Sequence, residues 1–228
     1  MFKNRKDAGR KLAARLLKYK DEHPVVLALP RGGVPVAYEV AMALGAPLDI
    51  VVVRKLGAPG QPELGVGAVV DGDHPQSVLN EEVLRALDVS DDYLNREAEL
   101  ELQEIRRRQE LYRGGCAPEP IEGRTAIVID DGIATGGSVR AALRGVRRFQ
   151  RKRLVLAVPV APPETVESLQ PEVDELVCLS TPFFFHAVGQ FYEDFSQTSD
   201  EEVVELLEGA RRQMASARRD ATEDNGTT

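Results

Sequence analysis

Short, continuous apolar runs recur along the chain at Val25–Leu29, Leu48–Val53, Ala126–Ile129, Leu154–Val160 and Leu176–Leu179. Runs of this length with no polar alternation predict strands buried on both faces. The segments between them carry a helical period instead. Residues 4 to 20 place Leu12, Ala13, Leu16 and Leu17 on one face, with basic residues outside. Val34–Leu44 reads as a second helix closed by Gly45, and Val139, Ala142, Leu143 and Val146 mark a third to about Phe149. Pro162-Pro163 opens a short helix through Leu169. Strand and helix in alternation predict an α/β fold, a parallel sheet flanked by helices.

Two stretches depart from that alternation. Gly57-Ala58-Pro59-Gly60-Gln61-Pro62 is too rich in Gly and Pro for a regular element, and predicts a flexible loop before a short strand at Ala68–Val70. Residues 80–115 are highly charged, with a thin apolar stripe at Leu94, Ala98, Leu102 and Ile105, and read as a helical insertion between core strands. Asn80 and Asp91 or Asp92 are its expected helix starts, and Gly114-Gly115 ends it. Arg106-Arg107-Arg108 is read as a solvated face. Ser199 and Glu202 resemble a capping box ahead of a helix to about Gln213, with a frayed tail over 214–228. Neither a repeat nor a linker divides residues 1–213, so a single domain is expected.

Composition narrows the function. A net charge of −8 over 228 residues argues against general nucleic-acid binding. Cys116 and Cys178 lie far apart and in no C-x-x-C pair, which predicts neither a disulfide framework nor a zinc site and fits a reducing cytoplasm. The charged start, Met1 to Asp7, leads into no apolar segment, and no apolar run approaches the ~18 residues of a membrane span.

The candidate chemistry concentrates after the third strand run. Asp130 and Asp131 follow Ile129 directly; Thr135-Gly136-Gly137-Ser138 then opens a helix. The first N–H groups of a helix lack internal partners and sit at the positive end of its dipole. Gly136 and Gly137 allow close backbone approach, and the Thr135 and Ser138 hydroxyls can donate, so the loop is suited to a phosphate. Two carboxylates beside it would repel a bare anion. They fit a ligand that also offers hydroxyl donors or a divalent cation, as a sugar phosphate with Mg²⁺ does. There is no Gly-Lys-Ser/Thr of a Walker loop and no Gly-x-Gly-x-x-Gly.

This stretch, Ala-Ile-Val-Ile-Asp-Asp-Gly-Ile-Ala-Thr-Gly-Gly-Ser-Val, resembles the motif of type I phosphoribosyltransferases that binds phosphoribosyl pyrophosphate (PRPP). The resemblance extends over roughly residues 2 to 210. It implies a small hood beside the sheet, here residues 180–198, where Phe183, Phe184, Phe185, Phe191, Tyr192 and Phe195 gather. Most of these aromatics are expected to pack the hood or a homodimer contact, and His186 to be structural. Arg31-Gly32-Gly33, after the first strand, resembles the family's pyrophosphate loop. Arg54 and Lys55, before the family's mobile catalytic loop, are expected to reach pyrophosphate, Lys55 above all.

The implied activity is transfer of 5-phosphoribosyl from PRPP, as its Mg²⁺ complex, to a small-molecule nitrogen acceptor such as a nucleobase. Thr135, Gly136, Gly137 and Ser138 would take the 5-phosphate, and Asp130 and Asp131 the ribose hydroxyls. Ala134 stands where enzymes for 6-oxopurines carry Asp, which speaks against hypoxanthine or guanine. Ala-Thr-Gly-Gly also occurs in adenine and uracil enzymes, but the uracil type has Pro where this chain has Asp131, so the base stays open. The alternative within the same fold is a regulatory protein that binds PRPP without turnover.

Overall fold

The structure, a computed structural model, describes residues 1–70, 76–79, 81–87 and 89–224. The chain begins with α1 (Arg5–Leu16), whose N-cap Asn4 accepts from the Asp7 N–H, and a following 3₁₀ turn, Leu17–Glu22. β1 (Val25–Ala28), α2 (Gly33–Leu44) and β2 (Leu48–Ile50) form the first βαβ unit, with Gly45 left-handed at φ 61° where α2 ends. β3 (Val53–Ala58), β4 (Gln61–Val70) and β5 (Gln76–Leu79) come next, then α3 (Glu81–Leu87) and α4 (Asp91–Arg113). β6 (Thr125–Ile129), α5 (Gly137–Val146), β7 (Arg153–Val160), α6 (Pro163–Leu169), β8 (Glu175–Ser180) and α7 (Asp200–Asp224) complete it.

β2, β1, β6, β7 and β8 form one parallel sheet in that order. Its strands are apolar throughout because both faces are covered. Val26, Ala28, Ile127 and Ile129 pack with α1, α2, α4 and α7 on one side. Leu27, Val128 and Leu156 pack with α5 and α6 on the other. The sheet edge at β2 is closed by the inserted helix α4, whose Arg113 pairs with Asp49 of β2 at 2.9 Å.

Three expectations are corrected. The segment Gly57–Pro62 is not a flexible loop. β3, β4 and β5 build a second, antiparallel sheet, and Pro59-Gly60 is the turn between β3 and β4. Pro presets the first turn position and Gly60, at φ 70°, supplies the second, while register shifts near Gly57 and Ala58 absorb residues 62–64. The run Leu48–Val53 is divided: β2 stops at Ile50 in the parallel sheet, and Val53 already pairs with Val70 in the other. The last helix does not end near Gln213 but continues to Asp224; residues 225–228 lie outside the described part.

The insertion is helical as expected. Ser90 caps α4 by accepting from the Tyr93 N–H, and Asp91 is its first residue; Asn80, the other expected start, lies outside the described residues. Arg107 and Arg108 both pair with Glu104 on the helix surface. Cys116 and Cys178 are free thiols. No helix among the described residues is long and apolar enough to cross a membrane.

Candidate active site

The site is assembled where β1 and β6 end, at the carboxyl edge of the parallel sheet, the side on which open α/β sheets take ligands. Leu29 donates its N–H to Ile129 O at 2.9 Å, so the two strand ends leave the sheet side by side. The loop Pro30-Arg31-Gly32-Gly33 then presses on Asp130-Asp131. A Cβ at Gly32 would lie 2.0 Å from Asp131 Oδ2, and one at Gly33 would lie 2.7 Å from Ile129 O. Both glycines are therefore imposed by close contact between the loops. A sequence pattern placed these loops one βα unit apart; packing brings them into touch.

The acid pair is tightly held. The Asp131 N–H donates to Asp130 Oδ1 at 2.9 Å, and Tyr192 Oη donates to Asp131 O at 2.5 Å. Arg5 Nε donates to Asp131 Oδ2 at 2.8 Å, with the two side chains only 12% and 13% exposed. Burial raises the Asp130 carboxyl well above its ordinary range, and the neighbouring Asp131 charge adds to it. Burial also raises Asp131, while the hydrogen bond and charge of Arg5 pull it back down. The adjacent carboxyls titrate as a pair, and both are pushed upward by burial. The Tyr192 hydroxyl is held neutral by its own burial and by the Asp131 charge.

The second loop carries the helix terminus. Ile133 donates its N–H to Val160 O at 2.9 Å, and Thr165 Oγ1 donates to Ala134 O at 2.6 Å, so α6 and β7 brace the loop from behind. Gly136 is buried at φ 80°, a conformation that side chains disfavour. α5 begins at Gly137 with no side-chain cap, and nothing lies within 4 Å of a Cβ placed there. Thr135, Gly137 and Ser138 are exposed around this open end. The arrangement offers unpaired N–H donors and two hydroxyls to an anion, beside two carboxyls that accept from hydroxyl donors.

The remaining candidates stand apart. Arg31 follows β1 but is paired with Asp200 Oδ1 of α7 at 3.8 Å, and Tyr112 Oη of α4 donates to that same oxygen at 2.5 Å. Arg54 and Lys55 are adjacent on β3 and so point to opposite faces of the strand. Arg54 Nε is bonded to Glu101 of α4 at 2.5 Å, so its guanidinium is engaged by the inserted helix. Lys55 is exposed, its stem laid over Gly65, where a Cβ would sit 3.0 Å from Lys55 Cε. In the hood region, Phe185, Phe191, Tyr192 and Phe195 pack on one another, whereas Phe183 and Phe184 are 90% and 86% exposed and pack nothing. His186 is exposed.

Arg5 and Thr165 belong to this site and carry no local signal in the sequence, and Tyr192, read only as a hood aromatic, joins them. Arg5 sits on a basic helix face that reads as solvated surface. A cavity of about 610 Å³ lies elsewhere, between α4 and α5, lined by Asp49, Arg113, Ile121 and Phe149 among others, and by none of the candidate site residues.

Comparison with known proteins places the chain in a family. The phosphoribosyl transferase domain model matches residues 2–196. A Mycobacterium tuberculosis protein, named provisionally as a phosphoribosyl transferase, is 48% identical over 217 residues, covering 95% of this chain and 48% of its own. The chain therefore spans about half the length of the curated relatives it matches. The crystal structure of TT1426 from Thermus thermophilus is 46% identical, covers 91% of this chain and 97% of that one, and superposes with a TM-score of 0.79. A hypothetical protein of Neisseria gonorrhoeae, crystallised with ppGpp, shares the fold at 13% identity and a TM-score of 0.50, covering 92% of this chain and 98% of that one.

Proposed function

The chain belongs to the phosphoribosyl transferase domain family, and we propose that it transfers 5-phosphoribosyl from PRPP to a nitrogen of a small acceptor such as a nucleobase. The observation that carries this reading is the juxtaposition of the Asp130-Asp131 pair with the uncapped N-terminus of α5. The N–H groups and hydroxyls from Thr135 to Ser138 take the 5-phosphate. The two carboxyls accept from the ribose hydroxyls, and their charge favours the cationic ribosyl centre that forms as the C1–O bond breaks. The bonding pair leaves with pyrophosphate, C1–N forms, and the acceptor nitrogen gives up its proton to the departing pyrophosphate or to water. Arg31, the Gly32 and Gly33 backbone and Lys55 neutralise the diphosphate.

Mg²⁺ enters this reading as part of the substrate. No group of three or more His, Cys, Asp or Glu among the described residues could form a protein cage for it. An ion here would take most of its oxygens from the diphosphate and water, with at most one or two protein carboxylates such as those of Asp130 and Asp131. Once bound, it supplies charge neutralisation to the leaving group.

Ala134 offers no carboxylate, so hypoxanthine and guanine are read as poor acceptors. The test is a panel of nucleobases incubated with PRPP and Mg²⁺, with nucleotides read by mass and pyrophosphate by a coupled assay. Appearance of one nucleotide with equimolar pyrophosphate is expected. Tight PRPP binding with no turnover across the panel would replace the transferase by a PRPP-responsive regulator.

A further inference from the structure

Arg5 joins three segments that are far apart in the chain. It is the first residue of α1, behind the Asn4 cap. Its Nε donates to Asp131 Oδ2 at 2.8 Å, its Nη1 donates to Ser196 O at 2.6 Å, and its guanidinium lies 3.9 Å above the centre of the Phe195 ring. Two acceptors and a stacking face fix the plane of the guanidinium, which a flexible ammonium would not achieve. The same carboxylate oxygen also abuts Gly32, where even a methyl group would collide with it at 2.0 Å. Arg5 and the Gly32 backbone thus together fix where the carboxylate sits. The segment that follows β8 is laced to the N-terminus as well. Phe2 N–H donates to Phe191 O at 2.8 Å, Glu193 N–H to Phe2 O at 2.9 Å and Asp194 N–H to Lys3 O at 3.0 Å.

We propose that Arg5 is a positioning residue: it fixes the Asp131 carboxylate and ties the 188–196 segment to the acid pair, so that the wall beside the site and the carboxyls move as one body. The consequence for catalysis rests on the transferase reading above. A ribose held by Asp131 and an acceptor approaching along the 188–196 wall are then kept in mutual register, which is the geometric requirement for forming C1–N. The charged and titratable groups around the Asp131 carboxyl are Asp130 beside it, Arg5 bonded to it and the Tyr192 hydroxyl, which bonds the Asp131 backbone carbonyl; the Gly32 backbone abuts it. Arg5 does not touch the reacting atoms in this scheme. It acts through Asp131.

The test compares Arg5→Gln and Arg5→Lys with the wild type, first without ligand. Carbon-13 titration of the aspartate carboxyls and hydrogen exchange of residues 188–196 are measured on each. Arg5→Gln should raise the Asp131 midpoint and speed exchange of the segment by about tenfold or more. Arg5→Lys, which keeps charge but not the fork, should restore the midpoint and leave exchange fast. Wild-type titration and exchange in Arg5→Gln would overturn the proposal. If Arg5→Gln fails to fold, wild-type exchange in Arg5→Lys overturns it equally. With the acceptor in hand, Arg5→Gln should lower kcat by about 10- to 100-fold with less change in KM for PRPP. A wild-type protein that consumes no PRPP refutes the transferase reading alone, since the ligand-free measurements judge Arg5 independently.

Discussion

Arg113, the last residue of α4, and Asp49 of β2 form an ion pair at 2.9 Å with side chains only 11% and 7% exposed. Asp49 also accepts from the Ile50 and Glu119 N–H groups, and Arg113 Nη2 donates to Ile50 O. This carboxylate is a polar anchor of the inserted helix at the sheet edge, beside the apolar packing of Leu94, Ile105 and Tyr112. Asp49→Ala takes the Asp49 charge away from a largely buried guanidinium and should cost roughly 3–5 kcal/mol in urea unfolding. The double change Asp49→Leu with Arg113→Leu should recover a large part of it, because neither charge then needs solvation. A loss below about 1 kcal/mol in Asp49→Ala, the range of exposed pairs, would show that water reaches the pair.

Asp130 sets a pH dependence. Its carboxyl is raised from the ordinary 3.8, first by burial and then by Asp131, so the folded protein holds this proton more tightly than the unfolded chain. Stability from this group is complete below that ordinary value and is lost as pH rises through the raised one. Asp130→Asn never ionises. It should melt with the wild type at acid pH and above it at neutral pH, while turnover falls about 100-fold or more. Equal melting temperatures at both pH values would refute the shift.

Two glycines should separate fold from ligand binding. Gly32→Ala places its Cβ 2.0 Å from Asp131 Oδ2 and must displace the carboxylate, costing about 1–3 kcal/mol and the activity together. Gly137→Ala enters open space at the start of α5. It should leave stability unchanged or raise it by up to about 1 kcal/mol, yet weaken binding of ribose 5-phosphate in calorimetry. Unaltered affinity would move the phosphate away from this loop.

The β3–β4 hairpin should be ordered before any ligand arrives. Leu56 is fully buried, Tyr93 Oη donates to Gly57 O at 3.1 Å, and Arg54 pairs with Glu101. Amides of β3 should be protected from exchange in the free protein. Glu101→Gln should cost about 1 kcal/mol of stability and leave PRPP affinity unchanged if the ion pair with α4 is the whole role of Arg54. A strong loss of PRPP affinity would return Arg54 to the site.

Much of this was legible along the chain. The parallel strands could be read because burial on both faces removes polar residues from a contiguous run. The helices could be read because an apolar stripe needs a fixed period. The Asp130-Asp131 pair and the Thr135–Ser138 loop could be read because a strand, a turn and a helix N-terminus are consecutive, so their chemistry is written in one stretch. The hairpin was missed because Pro59 and Gly60 make a tight turn as readily as a loop, and only pairing across the strands distinguishes the two.

The amino-acid order by itself therefore determined the α/β architecture and the local chemistry at the end of β6. Tertiary structure alone decided which side chains complete it. The bonds from Arg5 and Tyr192 to Asp131 cross 126 and 61 residues, and that from Thr165 to Ala134 crosses 31. Nothing in helical or strand periodicity specifies such a partner, because periodicity records only which face is buried. Arg54 and Lys55 carry like charges at neighbouring positions, and the pleat of β3 sends them to opposite faces. A charge acquires its role from whatever the folded chain sets against it, and that is fixed only when the sheet, the inserted helix and the N-terminus close on one another.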